Sequence, residues 1–128
     1  MRKNNLIFPS ILFAALFMAG CSSHNQALYN YGTYSESYYS DVKDHTHESQ
    51  LALQKSIEDA IQNAQDSTSG RVAPGLYANL GYIYLKKGQS KLAVENFKKE
   101  KVLYPESAKL MDMLIKKVAM AEEDKNEK

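Results

Sequence analysis

The stretch LYANLGYIYLKKGQSKLAVENFKKEKVLYP, residues 76–105, holds two apolar stripes at helical spacing, parted by a glycine and closed by a proline. Tyr77, Leu80, Gly81 and Tyr84 recur at i, i+3, i+4 and i+7, the period of one helix face. Gly88 supplies a stop signal, which places a helix over 76–87. Ser90 is positioned to cap the next helix, 91–103, in which Ala93 and Phe97 share a face, and Pro105 ends it. These features predict an antiparallel hairpin. Gly81 lets the helices approach closely opposite the small Ala93, while Tyr84 and Phe97 fill the space between them.

From Pro74 to Ser107 the chain resembles one tetratricopeptide repeat, whose period is 34 residues and whose pattern begins W-x2-L-G-x2-Y. The register is Tyr77, Leu80, Gly81, Tyr84, Ala93, Phe97 and Pro105. Tyr77 stands where the family prefers Trp. Glu100 stands where a small residue is usual, so looser packing against the following helix is expected. A generic helical hairpin is the alternative, but seven positions in register argue for the repeat. A single repeat cannot bury its own apolar face and needs neighbours.

Those neighbours are legible on both sides. After Ser107, read as the start of a last helix, Met111, Leu114, Ile115 and Val118 repeat the spacing of Tyr77, Leu80, Gly81 and Tyr84. Upstream, Thr33 and Glu36 have capping-box spacing, which opens a short helix over about 34–43 with Tyr34, Tyr38 and Val42 on one face. The segment 44–47 breaks it. A longer helix over 48–65 carries Leu53, Ile57, Ala60, Ile61 and Ala64 as one stripe. The turn residues of 66–75 form the clearest loop. The fold expected is all-α: a short, right-handed, tetratricopeptide-like stack of about five helices over 34–121. A charged tail, 122–128, is expected to fray.

The N-terminus reads differently. Met1-Arg2-Lys3 is basic, Leu6–Met18 is almost wholly apolar, and the small Ala19-Gly20 precede Cys21. That is the plan of a secretory signal, too short to cross a bilayer as a helix. The sequence Met18-Ala19-Gly20-Cys21 resembles the bacterial lipobox, with Met in place of the usual Leu. The resemblance implies cleavage before Cys21, alkylation of its sulfur with a diacylglyceryl group and acylation of the new amino group. An ordinary signal or uncleaved anchor with an incidental cysteine is the alternative. With a single cysteine in the chain, no internal disulfide can form. Several acyl chains make a stable membrane anchor. Ser22, where an Asp retains lipoproteins at the inner membrane of enteric bacteria, implies the periplasmic face of the outer membrane. Residues 1–20 are thus read as a lipoprotein signal peptide and 21–33 as a lipidated tether.

No overall charge excess points to nucleic acid. Without Arg2 and Lys3, the 16 basic residues fall to 14 against 15 acids, a formal charge of −1. The distribution is polar: residues 21–70 carry seven acids and two lysines, residues 86–117 nine lysines and four acids. Solvated helix faces explain such a pattern, and so does electrostatic orientation against a partner or a like subunit. Nine tyrosines fall into an early group (Tyr29, Tyr31, Tyr34, Tyr38, Tyr39) and a later one (Tyr77, Tyr82, Tyr84, Tyr104). Their rings suit helix packing, and each hydroxyl needs water or a partner.

Catalytic chemistry is not expected. His45 and His47 lie near Asp41 and Asp44, but helical ligands want i, i+3 or i+4 spacing, so no metal is expected. No phosphate-binding glycine loop is present, and alkylation of Cys21 would remove the one thiol. No cofactor is implied.

A second resemblance spans nearly the whole mature chain. Leu28–Tyr34, Pro74–Leu85, Glu100–Ser107 and Met111–Leu114 resemble a family of small bacterial lipoproteins known only as a domain of unknown function. Tyr31 stands where that family has Trp. The family is often encoded beside a lipoprotein related to the curli secretion channel and another small lipoprotein, which implies an envelope assembly of several lipoproteins as partners. The function expected is a non-enzymatic interaction or assembly factor at the outer membrane. The alternatives are a peptidoglycan-binding module whose early tyrosines stack on sugars, and a pilotin-like chaperone for a secretion subunit. By the repeat register, a partner-binding groove would be lined by Ala78, Asn79, Tyr82, Leu85 and Lys86, joined by Lys109. Asn79 and Lys109 would hold a carboxylate or backbone, and Tyr82, not used in packing, is the strongest candidate.

Overall fold

The computed structural model describes residues 27–126. They form five α-helices and, among the described residues, no strand. The helices are α1 (Tyr34–Asp44), α2 (His47–Gln62), α3 (Leu76–Lys86), α4 (Ser90–Leu103) and α5 (Ala108–Asn126). Short 3-10 turns at Ala64–Asp66 and Pro105–Ser107 follow α2 and α4. Residues 1–26, which hold the expected signal peptide, Cys21 and most of the expected tether, lie outside the described residues.

The α3–α4 hairpin forms as its sequence requires. A β-carbon built on Gly81 would lie 2.7 and 2.8 Å from Phe97 ring carbons and 3.1 Å from the Ala93 carbonyl, so only glycine fits. Gly88, with φ of 72°, turns the chain between the helices. Two apolar clusters flank this hairpin. Leu53, Ile57 and Ala60 of α2 pack with Ala73, Leu76 and Leu80, while Ala93 and Phe97 of α4 pack with Met111 and Val118 of α5. Tyr84 touches both and joins them into one core. Each large side chain fully buried here contributes about 1.5–3 kcal/mol.

Helix ends depart from expectation in physically readable ways. Thr33 makes no capping hydrogen bond, because its backbone (φ −96°, ψ 20°) is not the extended form a cap needs. Instead Asn30 receives the Gly32 N–H at 2.9 Å and builds the turn upstream. The reciprocal capping box belongs to α2: the Ser49 N–H donates to Thr46 Oγ1 at 3.0 Å, and the Thr46 N–H to Ser49 Oγ at 3.1 Å. His45, left-handed with φ of 50°, and Thr46 alone separate α1 from α2, a tighter break than 44–47. Ser90 is the first residue of α4 and not its cap, and its hydroxyl donates to Glu122 Oε1 at 2.7 Å. Ser107 lies in the 3-10 turn, one residue before α5. That last helix continues through Asn126, beyond the point where fraying is expected.

Glu100 is the clearest reversal. The sequence marks it as a bulky intruder that loosens packing. It is instead 3% exposed, and its carboxylate accepts the Gly75 N–H at 2.7 Å and the Ala78 N–H at 3.3 Å. Gly75 has no side chain with which to cap α3, so a carboxylate from α4 satisfies the orphan donors and meets the positive end of the helix.

The segment 27–33, expected as the end of a tether, is a strap laid on the fold. Thr68 N–H donates to the Ala27 carbonyl and Ser69 N–H to that of Leu28, each at 3.1 Å. Asn30 Nδ2 donates to the Asn63 carbonyl at 2.9 Å, and Tyr29 packs on the first cluster. Beside it, the hydroxyl of buried Tyr104 donates to the Val72 carbonyl at 2.5 Å. Burial, then the neighbouring Tyr29 hydroxyl, push the Tyr104 phenol from 10.0 up to about 12, against the opposing pull of Arg71. The unfolded phenol ionises first, so this contribution to stability is complete below pH 10 and is lost as pH rises to 12. A thermal melt series should therefore show Tm falling across that window, with a shallower fall in Tyr104→Phe. Equal slopes would deny Tyr104 this role.

Candidate interaction site

The antiparallel pair α1–α2 sets α1 beside α3, and the seam between them holds a cavity of about 260 Å³. Its floor is apolar because α2 and α3 turn Leu53, Ile57 and Ile83 into it. Its walls are aromatic: Tyr34 and Tyr38 of α1, with ring centroids 5.8 Å apart and planes tilted by 40°, and Tyr82 of α3. Tyr38 and Tyr82 are each about half exposed, at 50% and 49%. Successive turns of α1 thus contribute ring, ring and the methyls of Val42 to one edge.

Polar groups ring that apolar floor. Asn79 Nδ2 donates to the Tyr34 hydroxyl at 2.9 Å, leaving the amide oxygen and the second N–H for other partners. Burial raises the Tyr34 phenol above its ordinary value, with Tyr38 and Tyr31 adding to the shift, so the hydroxyl stays protonated at neutral pH. Lys86 sits 5.0 Å over the Tyr82 ring as a cation–π pair, and Lys87 is held by Gln54. Asp41, His45 and Gln50 complete the rim. Asp41 is fixed by Ser49 Oγ, which donates to it at 3.0 Å.

Of the residues expected in a groove, Asn79, Tyr82 and Lys86 meet at this cavity. Ala78 and Leu85 do not: both pack against the second cluster. Lys109 is exposed near the start of α5 and is not among the lining residues. Tyr77, half-buried, lies under Lys99 at 5.5 Å. Sequence reasoning missed the α1–α2 side of the cavity. His45 and Gln50 enter it because the break between those helices is two residues long, a length the turn residues alone do not reveal.

The arrangement suits binding. A floor of Leu and Ile accepts an apolar side chain, and the Asn79, Gln50 and tyrosine groups offer donors and acceptors to a backbone. The lining holds no serine, threonine or cysteine. Among the described residues, no group of three His, Cys, Asp or Glu side chains is placed to hold a metal ion. Also among them, no helix is long and apolar enough to cross a membrane. Of the early tyrosines, Tyr29 is engaged with the core and the Tyr31 hydroxyl meets the Pro74 carbonyl at 3.5 Å, leaving Tyr38 and Tyr39 as the most exposed rings.

A family profile described as Domain of unknown function (DUF4810) matches residues 28–114. The match begins inside the strap and ends within α5, so the strap belongs to the family's folded unit. No curated protein and no solved structure matches the chain.

Proposed function

We propose, for a chain that belongs to the DUF4810 family, a non-enzymatic role: a lipid-anchored envelope protein that holds a partner protein at the α1–α3 cavity. The observation that carries this reading is the cavity itself, an apolar floor with aromatic walls and a polar rim on a rigid helical scaffold. Proteins take up a partner's anchoring side chain in such sites, and Tyr is favoured among the residues that dominate interface energetics. The α3–α4 hairpin supports a tetratricopeptide-like stack, since the residues of that register meet as the pattern requires. The lipobox-like sequence ending at Cys21 supports acylation there and a place on the periplasmic face of the outer membrane. The partners it suits are other envelope lipoproteins, one of them related to the curli secretion channel.

A glycan is the second reading, favoured by the half-exposed rings of Tyr38 and Tyr82 on either side of the cavity. Pull-down from crosslinked envelopes and sedimentation with purified peptidoglycan separate the two. Tyr82→Ala should weaken retention of a protein partner by roughly 30-fold, the scale of a dominant interface tyrosine. Lys109→Ala should leave it nearly unchanged, because Lys109 lies off the cavity. Retention unaffected by Tyr82→Ala would remove the cavity from the account. Labelled palmitate should enter the wild type and not Cys21→Ala, and incorporation into both would displace the anchor from Cys21.

A further inference from the structure

We propose that copies of this chain associate head to tail, with the outer face of α2 in one copy seated in the α4–α5 groove of the next. This does not depend on what the α1–α3 cavity holds. A helical stack needs covered ends, and here both ends are open. Past α5, an open groove of about 580 Å³ runs between α4 and α5. Val94, Ile115 and Val118 form its apolar floor. Lys91, Glu95 and Lys98, all exposed, form the α4 rim at i, i+4 and i+7. An exposed hydrogen bond from Ser90 to Glu122 at 2.7 Å spans the two helices at one end of it.

The other end of the same chain carries the complement. The outer face of α2 presents Glu48, Leu51, Ala52, Lys55 and Asp59, all exposed and all on one helical stripe. Its charges alternate acid, base, acid, where the α4 rim alternates base, acid, base. In an antiparallel setting, Asp59 meets Lys91 and Lys55 meets Glu95, since both pairs are spaced by four residues. Glu48 then lies four residues along the helix from the position opposite Lys98, about 6 Å, inside the reach of a lysine side chain. Leu51 and Ala52 fall between these charges, over the apolar floor. Neither ion pair among the described residues involves the α4 rim, and the Lys55–Asp59 pair on α2 is exposed and open to exchange. The charge distribution of the whole sequence has the same sense, with acids concentrated in residues 21–70 and lysines in 86–117. Because the two surfaces differ, the association is heterologous and builds a ring or a chain of copies, not an isologous pair.

The test is sedimentation equilibrium of the full chain in density-matched detergent, at low and high salt. The wild type should self-associate as its concentration rises, less so in high salt. Lys91→Glu/Lys98→Glu makes both ends acidic, and Glu48→Lys/Asp59→Lys makes both ends basic. Each variant alone should associate about tenfold or more weakly than the wild type, because attractive pairs become repulsive. Mixed in equal amounts, they should recover association, since every junction between unlike variants is again complementary. That recovery also shows both variants to be folded. A wild type that stays monomeric up to about 100 µM overturns the proposal and leaves the groove to a helix of another protein. Variants that associate like the wild type, or a mixture that does not recover, overturn it equally.

Discussion

Gly81→Val should cost about 3 kcal/mol of stability, at the upper end of what forced overpacking does to a core. The first added carbon already lies under 3 Å from the Phe97 ring, and Phe97 is fully buried, so the ring moves only by displacing its packed neighbours. The alternative is separation of α3 from α4, which would expose the second apolar cluster. Valine's better helix propensity returns only a few tenths of a kcal/mol against glycine, far less than the clash. For a domain of this size the loss corresponds to a fall in Tm of roughly 10–20 °C. Calorimetry or circular dichroism reads it directly. Adding Phe97→Leu to Gly81→Val should restore part of the loss, because the smaller side chain vacates the ring's position. Independent, additive losses would mean that the two residues do not meet.

Glu100→Ala should be nearly as damaging, at about 3 kcal/mol. It removes two charge-assisted hydrogen bonds and strands the Gly75 and Ala78 N–H groups in a half-buried site. Glu100→Gln separates causes. Its carbonyl oxygen can keep the 2.7 Å contact to Gly75, but its NH2 group then faces the second N–H, and the charge at the α3 terminus is gone. A loss of about half that of the alanine variant is the expected result. A neutral Glu100→Ala would mean that water satisfies α3 unaided. The consequence for function is direct: Glu100 fixes the start of α3, the helix that carries Asn79, Tyr82 and Lys86.

These two residues show where the sequence is readable. Gly81 could be interpreted from its neighbours, since a glycine flanked by Leu80 and Tyr84 in a helical stripe implies a close approach, and Ala93 supplies the opposing small residue. The all-α class and the buried faces of α4 and α5 follow from the same period. Glu100 could not be read this way, because its partners are backbone groups 22 and 25 residues away that no side-chain pattern marks. The capping box is hidden for a similar reason. Thr33 has the spacing and Thr46 has the backbone, and only φ and ψ distinguish them.

The candidate site divides along the same line. Asn79, Tyr82 and Lys86 were legible as the unburied face of α3, a property of one helix. Extending the register to α5 adds Lys109 to that face, as the continuation of a groove lined by the first helix of the repeat. The cavity lies instead between α1 and α3, because the two-residue break after α1 brings Tyr34, Tyr38 and His45 against α3. Ala78 and Leu85 are drawn the other way, into the seam with the second cluster. The strap, 27–33, shows no helical period and follows the polar stretch 22–26, so it reads as the end of a linker. Its hydrogen bonds to the 66–70 loop come from backbone groups.

The central claim is that the α1–α3 cavity holds a partner protein in the envelope. A photocrosslinking amino acid placed at Tyr82 in living cells tests it, with the same probe at Leu110, exposed on α5 and away from the cavity, as the reference. The account predicts a discrete crosslinked product between this chain and another envelope protein at position 82, absent at position 110 and lost when Tyr38→Ala is added. No product at position 82, or the same products at both positions, would contradict it.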